Sequence, residues 1–265
     1  MTKLTVTLDD VMGTDLDVVK DAKVSFNNDT TVQPLGWEHV ELTPSLRRDQ
    51  PILTAQQAKL IKFLVRGMSS DDYDDMIAEM RMNPDSIPEL LWKFRKTPIH
   101  AAPFGHCFLK FTVEAPVFVA RQLVKHEYLR MSEVSRRYIK GMPEYFTPDN
   151  WSSIADEVKQ GSGPPLRDEL NNDAEMITDA SIMQVDRAYQ QLLKFVSPEE
   201  ARIVLPLCHM TRWRWSGSLD AVMNACILRM NDHAQKHTRQ VMSMIGSHVK
   251  TCFPQSWSSY VEGDI

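Results

Sequence analysis

The stretch Arg121–Tyr138 (RQLVKHEYLRMSEVSRRY) constrains this chain more than any other. It sets five basic residues, Arg121, Lys125, Arg130, Arg136 and Arg137, against two carboxylates, Glu127 and Glu133, with Gln122, His126, Ser132 and Ser135 between them. The 265-residue chain as a whole carries a net charge of −5. A cationic island in an acidic protein is either a solvated, salt-bridged face or a site for an anion. The apolar PVFVA before it opens with Pro116, which suits the first turn of a helix. If that helix runs on, Lys125 shares a face with Arg121 and with Gln122. Ser132, Glu133 and Ser135 then break the pattern and read as a helix end and a loop.

The rest of the chain narrows the class. Its length admits one large domain or two small ones with a substantial core. A content of 43% hydrophobic and 25% charged residues is that of a globular protein. No apolar run approaches a membrane span, and MTKLTVTLDD lacks the apolar core of a secretory signal, so a cytoplasmic location is expected. Cys107, Cys208, Cys226 and Cys252 form no CxxC pair, which argues against zinc and disulfides and for buried small hydrophobes. The acidic balance argues against nucleic acid as a partner.

In chain order, Leu4, Val6 and Leu8 alternate as in an edge strand, and Val24 and Phe26 suggest a second. Residues 34–56 read as a loop. Gln56–Gly67 has helical apolar spacing with Gly67 as the stop; Asp71–Met82 and Pro88–Lys96 read as two further helices. Phe108, Phe111 and Val113 lie in a strand-like run. Residues 139–171 read as a loop, and the GSGPP break at Gly161–Pro165 as a hinge or lid. Asp173–Val196 is a long amphipathic helix with apolar positions such as Ile177, Ile182, Val185, Tyr189 and Leu192. Ser197-Pro198-Glu199-Glu200 supplies a cap, an N1 proline and an acidic first turn for the next helix. Trp213 and Trp215, two apart, point to one side of a strand and read as core. His106 is either a packed histidine or a site residue.

Two blocks resemble the flavin-dependent thymidylate synthases. The signature of that family, Arg-Gln-Trp, Arg-His-Arg and Asn-Glu-x-Ser-x-Arg-Tyr, is matched in frame by Arg121-Gln122-Leu123, Lys125-His126-Glu127 and Ser132-Glu133-Val134-Ser135-Arg136-Arg137-Tyr138. Upstream, His100, Pro103, Phe104 and His106 fit its His-x-Ser/Thr-Pro-Phe-Glu-His motif, with Ala102 for the hydroxyl residue and Gly105 for the Glu. In the second block, Arg202, Pro206, Thr211, Trp215, Asn224, Leu228, Arg229, His233, Ala234, Gln235 and Arg239 fall in frame, with Ser218 for Asn and Asp220 where Arg is common. The similarity covers nearly the whole chain in the right order and is weakest over 34–95.

The resemblance implies a helix-rich α/β fold with a central, mostly antiparallel sheet, a single domain over 1–265, and a homotetramer. It implies methylation of dUMP at C5 to dTMP, with methylenetetrahydrofolate as carbon donor, FADH2 as hydride source and NADPH as reductant. Gln122, Glu133, Ser135, Arg137 and Arg202 would hold the phosphate and sugar, with Lys125 and Arg136 beside them, and Arg229 would face and polarise the uracil as the catalytic group. Ser25, Lys125, His126, Glu133, Ser218 and Asn224 would contact FAD, with Ala102, Glu127 and Asp220 at flavin positions of altered chemistry. Departures of this kind would suit a virus with modified DNA and admit other readings: a pyrimidine nucleotide methylase or hydroxymethylase acting on dUMP or dCMP, or a nucleotide-binding homologue without catalysis. Since Glu127 cannot replace arginine beside a phosphate, it is expected to pair with Arg130 or Arg136.

Overall fold

The structure, a computed structural model, describes residues 3–67, 70–90, 100–139, 141–155 and 162–262. The fold is mixed α/β, rich in helix, with a four-stranded sheet of order β1-β4-β6-β5 and a separate hairpin of β2 and β3. The strands are β1 (Thr5–Met12), β2 (Gly36–Thr43), β3 (Leu46–Ile52), β4 (Phe108–Pro116), β5 (Arg130–Glu133) and β6 (Met210–Ser218). The helices are α1 (Asp15–Lys23), α2 (Ala55–Arg66), α3 (Ser70–Met82), α4 (residues 87–90 as far as described), α5 (Ala102–Gly105), α6 (Val117–Leu123), α7 (Asp168–Leu192), α8 (Pro198–Ala201), α9 (Leu219–Arg229), α10 (Lys236–Cys252) and α11 (Pro254–Trp257). Among the described residues no helix is long and apolar enough to cross a membrane.

Contacts divide the chain into two compact units. The first comprises residues 1–7, 111–216 and 227–245; the second comprises 8–110, 217–226 and 246–265.

In the first unit, β6 shows period-two patterning. Thr211, Trp213 and Trp215 are buried while Arg212 and Arg214 between them are exposed. Successive strand residues face opposite sides, so the two tryptophans enter the core together, as their spacing predicts. The strand β5 runs antiparallel to it, with Met131 opposite Trp215 and Glu133 opposite Trp213. Ser132 and Glu133 therefore lie in a strand and not in the loop expected for them. Nor does α6 reach Lys125. It buries Val117, Val119, Ala120 and Leu123 and is capped at Val124, because the next residues are polar and offer the core nothing to pack. Pro116 is its N-cap and the last residue of β4. The long helix α7 is present, with Tyr189 fully buried and Ile177 exposed. Its successor α8 is only four residues long, and Ser197 makes no side-chain cap. In the GSGPP break Gly161 lies outside the described residues. Beyond it Gly163 N–H donates to Ser153 O and Ser153 N–H to Pro164 O.

In the second unit, capping boxes open two helices: Thr14 with Asp17 on α1 and Thr54 with Gln57 on α2. Gly67 ends α2 with φ of 66°, the left-handed conformation that glycine adopts without strain. Val24 and Phe26 form no strand. The chain leaves α1 through a 3-10 turn, Val24–Phe26, ended by Asn27 at φ 52°, and asparagine tolerates that region. The span 34–56 is no loop either. The β2–β3 hairpin is written in charge pairs in place of apolar alternation: His39 Nδ1 lies 3.0 Å from Asp49, and Arg47 3.6 Å from Glu41. The expected helix Pro88–Lys96 is helical through residue 90; the remainder lies outside the described residues.

Asp15 is buried here at the start of α1. It accepts from the backbone N–H of Gln255 and Ser256 and from the Ser256 hydroxyl, tying down α11. Burial pushes its carboxyl up from 3.8 to about 6, against the lowering effect of those hydrogen bonds. The folded state thus binds this proton more tightly than the unfolded chain. Its contribution is full below pH 3.8 and is lost as pH rises through about 6. Asp15→Asn is therefore expected to flatten the decline in stability between about pH 4 and 7, a slope worth about 3 kcal/mol. Urea denaturation across that range measures it; parallel curves for the two proteins would contradict it.

Candidate functional site

The first unit carries two cavities divided by α6. Val117 and Arg121 line one, and their chain neighbours Phe118 and Gln122 line the other.

The first cavity has a volume of about 1010 Å3. Glu133, Ser135, Arg136 and Arg202 line it, as do Arg121, Glu199, Glu200, His209 and Thr211. Among the described residues three arginines thus meet three glutamates, and that lining is charge-balanced. Glu133 accepts from Thr211 Oγ1 at 2.8 Å, a contact set by the pairing of β5 with β6. Ser135 Oγ accepts from Arg137 N–H. Arg136 Nη1 donates to Gly141 O, and Arg202 Nε to Glu199 O at 3.0 Å. Arg137 does not line this cavity among the described residues. Its Nε lies 3.2 Å from Glu199 and its guanidinium stacks over the Tyr138 ring. His209 donates from Nδ1 to Pro206 O, and burial lowers its pKa.

The second cavity, about 890 Å3, contains Gln122 and Arg229. Arg229 ends α9 in a run, Ala225–Leu228, that offers no charge partner. The structure supplies partners from α6 and the turn after it: Nε donates to His126 Nε2 at 3.1 Å, and Nη2 lies 3.4 Å from Gln122 O. Burial first, and then the Arg229 charge, lower the pKa of His126. A neutral His126 keeps the Nε2 lone pair that accepts from Arg229. One edge of the guanidinium is thereby engaged, and Nη1 has no hydrogen-bond partner among the described residues. Among the described residues this cavity is lined by two cations, Arg229 and Lys236, and by no carboxylate.

Lys125 and Glu127 sit exposed on either side of His126. The pairing expected of Glu127 with Arg130 or Arg136 is not made: Arg136 turns to Gly141 O instead.

The remaining expected flavin residues belong to the second unit. Ser25 is exposed in the 3-10 turn after α1, and Ala102 is exposed at the start of α5. Ser218 ends β6. Asn224 on α9 is exposed and accepts weakly from Tyr260 Oη at 3.4 Å. Asp220 Oδ1 is buried with no hydrogen-bond partner among the described residues. A buried orphan acceptor suits a ligand N–H or O–H and repels a phosphate. His100 and His106 are exposed, so His106 is not a packed core histidine. The cysteines Cys107, Cys226 and Cys252 are buried, and burial pushes each thiol up to about 12; Cys208 is half-buried.

Sequence reasoning missed Glu199, His209, Trp151 and Lys236 as cavity residues. Glu199 was legible only as a helix-start carboxylate. Lys236 follows the in-frame His233-Ala234-Gln235 directly, which was the one signal available for it.

Fold and cavities together define a mixed α/β protein with two polar cavities, one with arginines and glutamates in its described lining and one with cations alone. The chain belongs to the family described as thymidylate synthase complementing protein, whose model matches residues 12–255. It is similar to the flavin-dependent thymidylate synthase of Kosmotoga olearia, 31% identical over 163 residues, or 61% of this chain and 71% of the relative. It is also similar to that of Thermus thermophilus, 34% identical over 164 residues, or 62% of this chain and 60% of the relative. Among solved structures, the UMP/dUMP methylase PolB from Streptomyces cacaoi bound with 5-Br dUMP shares the fold, with a TM-score of 0.73 at 21% identity over 99% of this chain and 96% of that one.

Proposed function

We propose that this protein methylates C5 of dUMP to give dTMP, taking the carbon from methylenetetrahydrofolate, with NADPH as the ultimate reductant. One observation carries the reading. In a member of this family, Arg229 is held by His126 and Gln122 in a cavity whose described lining has no carboxylate. A fixed guanidinium beside a pyrimidine stabilises negative charge as it develops on the ring and so favours attack through C5; one such donor is worth roughly 3–4 kcal/mol of barrier. Gln122 would read the base or sugar through its amide. Ser135 and Arg202 line the other cavity of the chain, so they would hold the phosphate from a second subunit of the homotetramer, with Lys125, Arg136 and Arg137 adding cations, and Glu133 would accept from the sugar. Arg137 would first have to exchange its partner Glu199 for the ligand.

Bound flavin, in the FADH2 form that NADPH regenerates, would supply the hydride that reduces the transferred carbon. In the first unit, Lys125, His126, Glu127 and Glu133 would contact it. In the second, Ser25, Ala102, Ser218, Asp220 and Asn224 would do so, in a homotetramer whose sites draw on different subunits. The orphaned Asp220 oxygen suits the hydroxyl and amine donors of such a dinucleotide and not its diphosphate. The chain would act as a single catalytic domain, in the cytoplasm. The carboxylates of Glu127 and Asp220 at flavin positions support a second reading, a related pyrimidine nucleotide methylase or hydroxymethylase acting on dUMP or dCMP.

Calorimetric titration with FAD, with and without dUMP, is expected to show binding. Mass analysis of the product from dUMP, methylenetetrahydrofolate and NADPH is expected to show dTMP. A product only from dCMP, or a hydroxymethyl product, would select the second reading. Absence of FAD binding in every mixture would remove both.

A further inference from the structure

The cavity that holds Arg229 is larger than a pyrimidine requires. Its volume of about 890 Å3 lies toward the upper end of the range of pockets that enclose whole ligands. Beyond Gln122 and Arg229, its walls come from segments to which the methylation reading gives no role. Phe118, Phe146 and His237 meet edge to face, with ring centroids 4.9 to 6.2 Å apart. Lys236 Nζ donates to Asn150 O at 3.0 Å and lies 3.4 Å from Ser152 Oγ, so among the described residues one N–H is well engaged, a second weakly, and a third remains. The Nε1 of Trp151 is buried with no hydrogen-bond partner among the described residues. His237 is kept neutral by burial and by the adjacent Lys236 charge. An ammonium held at the wall, an orphaned indole N–H, aromatic walls and, among the described residues, no lining carboxylate are together the chemistry of an oxyanion carried beside a ring.

We propose that the part of this cavity lined by Trp151, Ser152, Lys236 and His237 is a second subsite that binds a carboxylate or phosphate oxyanion on a ring-bearing ligand. The proposal rests on the reading above, in which Arg229 and Gln122 take the pyrimidine. Its oxyanion has two sources to be distinguished: the carboxylates of an aryl-glutamate co-substrate, or the phosphate of the nucleotide, which would then not be held by Ser135 and Arg202 of the other cavity. The neighbouring cavity, about 900 Å3, shares Phe146, Asn150, Lys236 and His237 as walls, so an extended ligand has room to continue past the ammonium. The charge-balanced cavity on the other side of α6 offers no comparable excess of donors, since three glutamates face its three arginines.

The experiment is calorimetric titration of the full-length protein, the Lys236→Met and Lys236→Arg variants, and Trp151→Phe, each checked for fold by circular dichroism. The probes are dUMP, deoxyuridine and p-aminobenzoylglutamate, at two salt concentrations. Lys236→Met is expected to weaken one of the two anionic probes by about tenfold or more, the effect of one charge-assisted hydrogen bond, and to reduce its salt dependence. Lys236→Arg should restore much of that affinity. Trp151→Phe should weaken the same probe, and deoxyuridine should be unaffected by any of the three. A loss confined to dUMP identifies the phosphate, and a loss confined to p-aminobenzoylglutamate identifies the carboxylate. Unchanged affinity for both anionic probes in Lys236→Met and Trp151→Phe overturns the proposal, as does failure of the unaltered protein to bind either. Failure of the methylation reading would look different: anion binding would depend on Lys236, but no dTMP would form.

Discussion

Arg229→Ala is expected to fold normally and to lose turnover by on the order of 100-fold or more, the usual cost of removing one preorganised electrostatic donor. The guanidinium is fixed by His126 and by the Gln122 carbonyl before any ligand arrives, so it needs no reorganisation during the reaction. Its role differs from that of a structural salt bridge. Both of its partners are neutral, a carbonyl and an imidazole whose pKa is lowered by burial and by the arginine itself. Removing the side chain therefore leaves no buried carboxylate uncompensated, and stability should change little. The measurements are the single-turnover rate with dUMP and the urea midpoint of the same preparation. Unchanged turnover in a folded variant would reject the catalytic role.

Trp213→Ala is expected to lower stability by about 3–5 kcal/mol, the cost of deleting a large core aromatic. The side chain is 1% exposed. Against a total of about 5–15 kcal/mol, that leaves a protein close to its unfolding threshold. The change should also reach the first cavity. Trp213 stands opposite Glu133 in the β5–β6 ladder, and Thr211, two residues before it on the same face, holds the Glu133 carboxylate. Loosening β6 therefore loosens Glu133, and affinity for dUMP should fall with stability. Urea denaturation and calorimetry on one preparation test both parts. A stability loss below about 1 kcal/mol would show that the ladder does not depend on this ring.

The legible parts of the chain were those whose pattern is local. The alternation of β6 placed Trp213 and Trp215 in the core, and the apolar spacing with Gly67 placed α2. The hairpin β2–β3 was hidden because its cross-strand pairs are polar: Glu41 with Arg47 and His39 with Asp49 look like loop polarity in one dimension. β5 was hidden for a related reason. Ser132 and Glu133 are poor strand formers alone, and β6, some 80 residues later, makes them a strand.

At the site, the signature pointed to Gln122 and His126 and the second block to Arg229, and the fold brings these three together. It could not show that Arg137 is engaged by Glu199, which lies 62 residues away, or that Arg136 turns to Gly141. The division of the expected nucleotide residues between two cavities was equally invisible. It follows from α6 presenting Arg121 to one side and Gln122 to the other, which no spacing rule fixes without the neighbouring walls. Lys236 and Trp151 gain meaning only when the segment around residue 150 and the start of α10 are set side by side.

The central claim is that Arg229 directs chemistry to C5 of a pyrimidine deoxynucleotide. Release of tritium from dUMP labelled at C5 tests it most directly, because substitution at that carbon must expel its hydrogen. With FAD, NADPH and methylenetetrahydrofolate present, we predict that the unaltered protein releases tritium together with dTMP formation, and that Arg229→Ala abolishes nearly all of it. A protein that binds FAD and dUMP yet releases no tritium, or an Arg229→Ala variant that releases it at the full rate, would contradict the account.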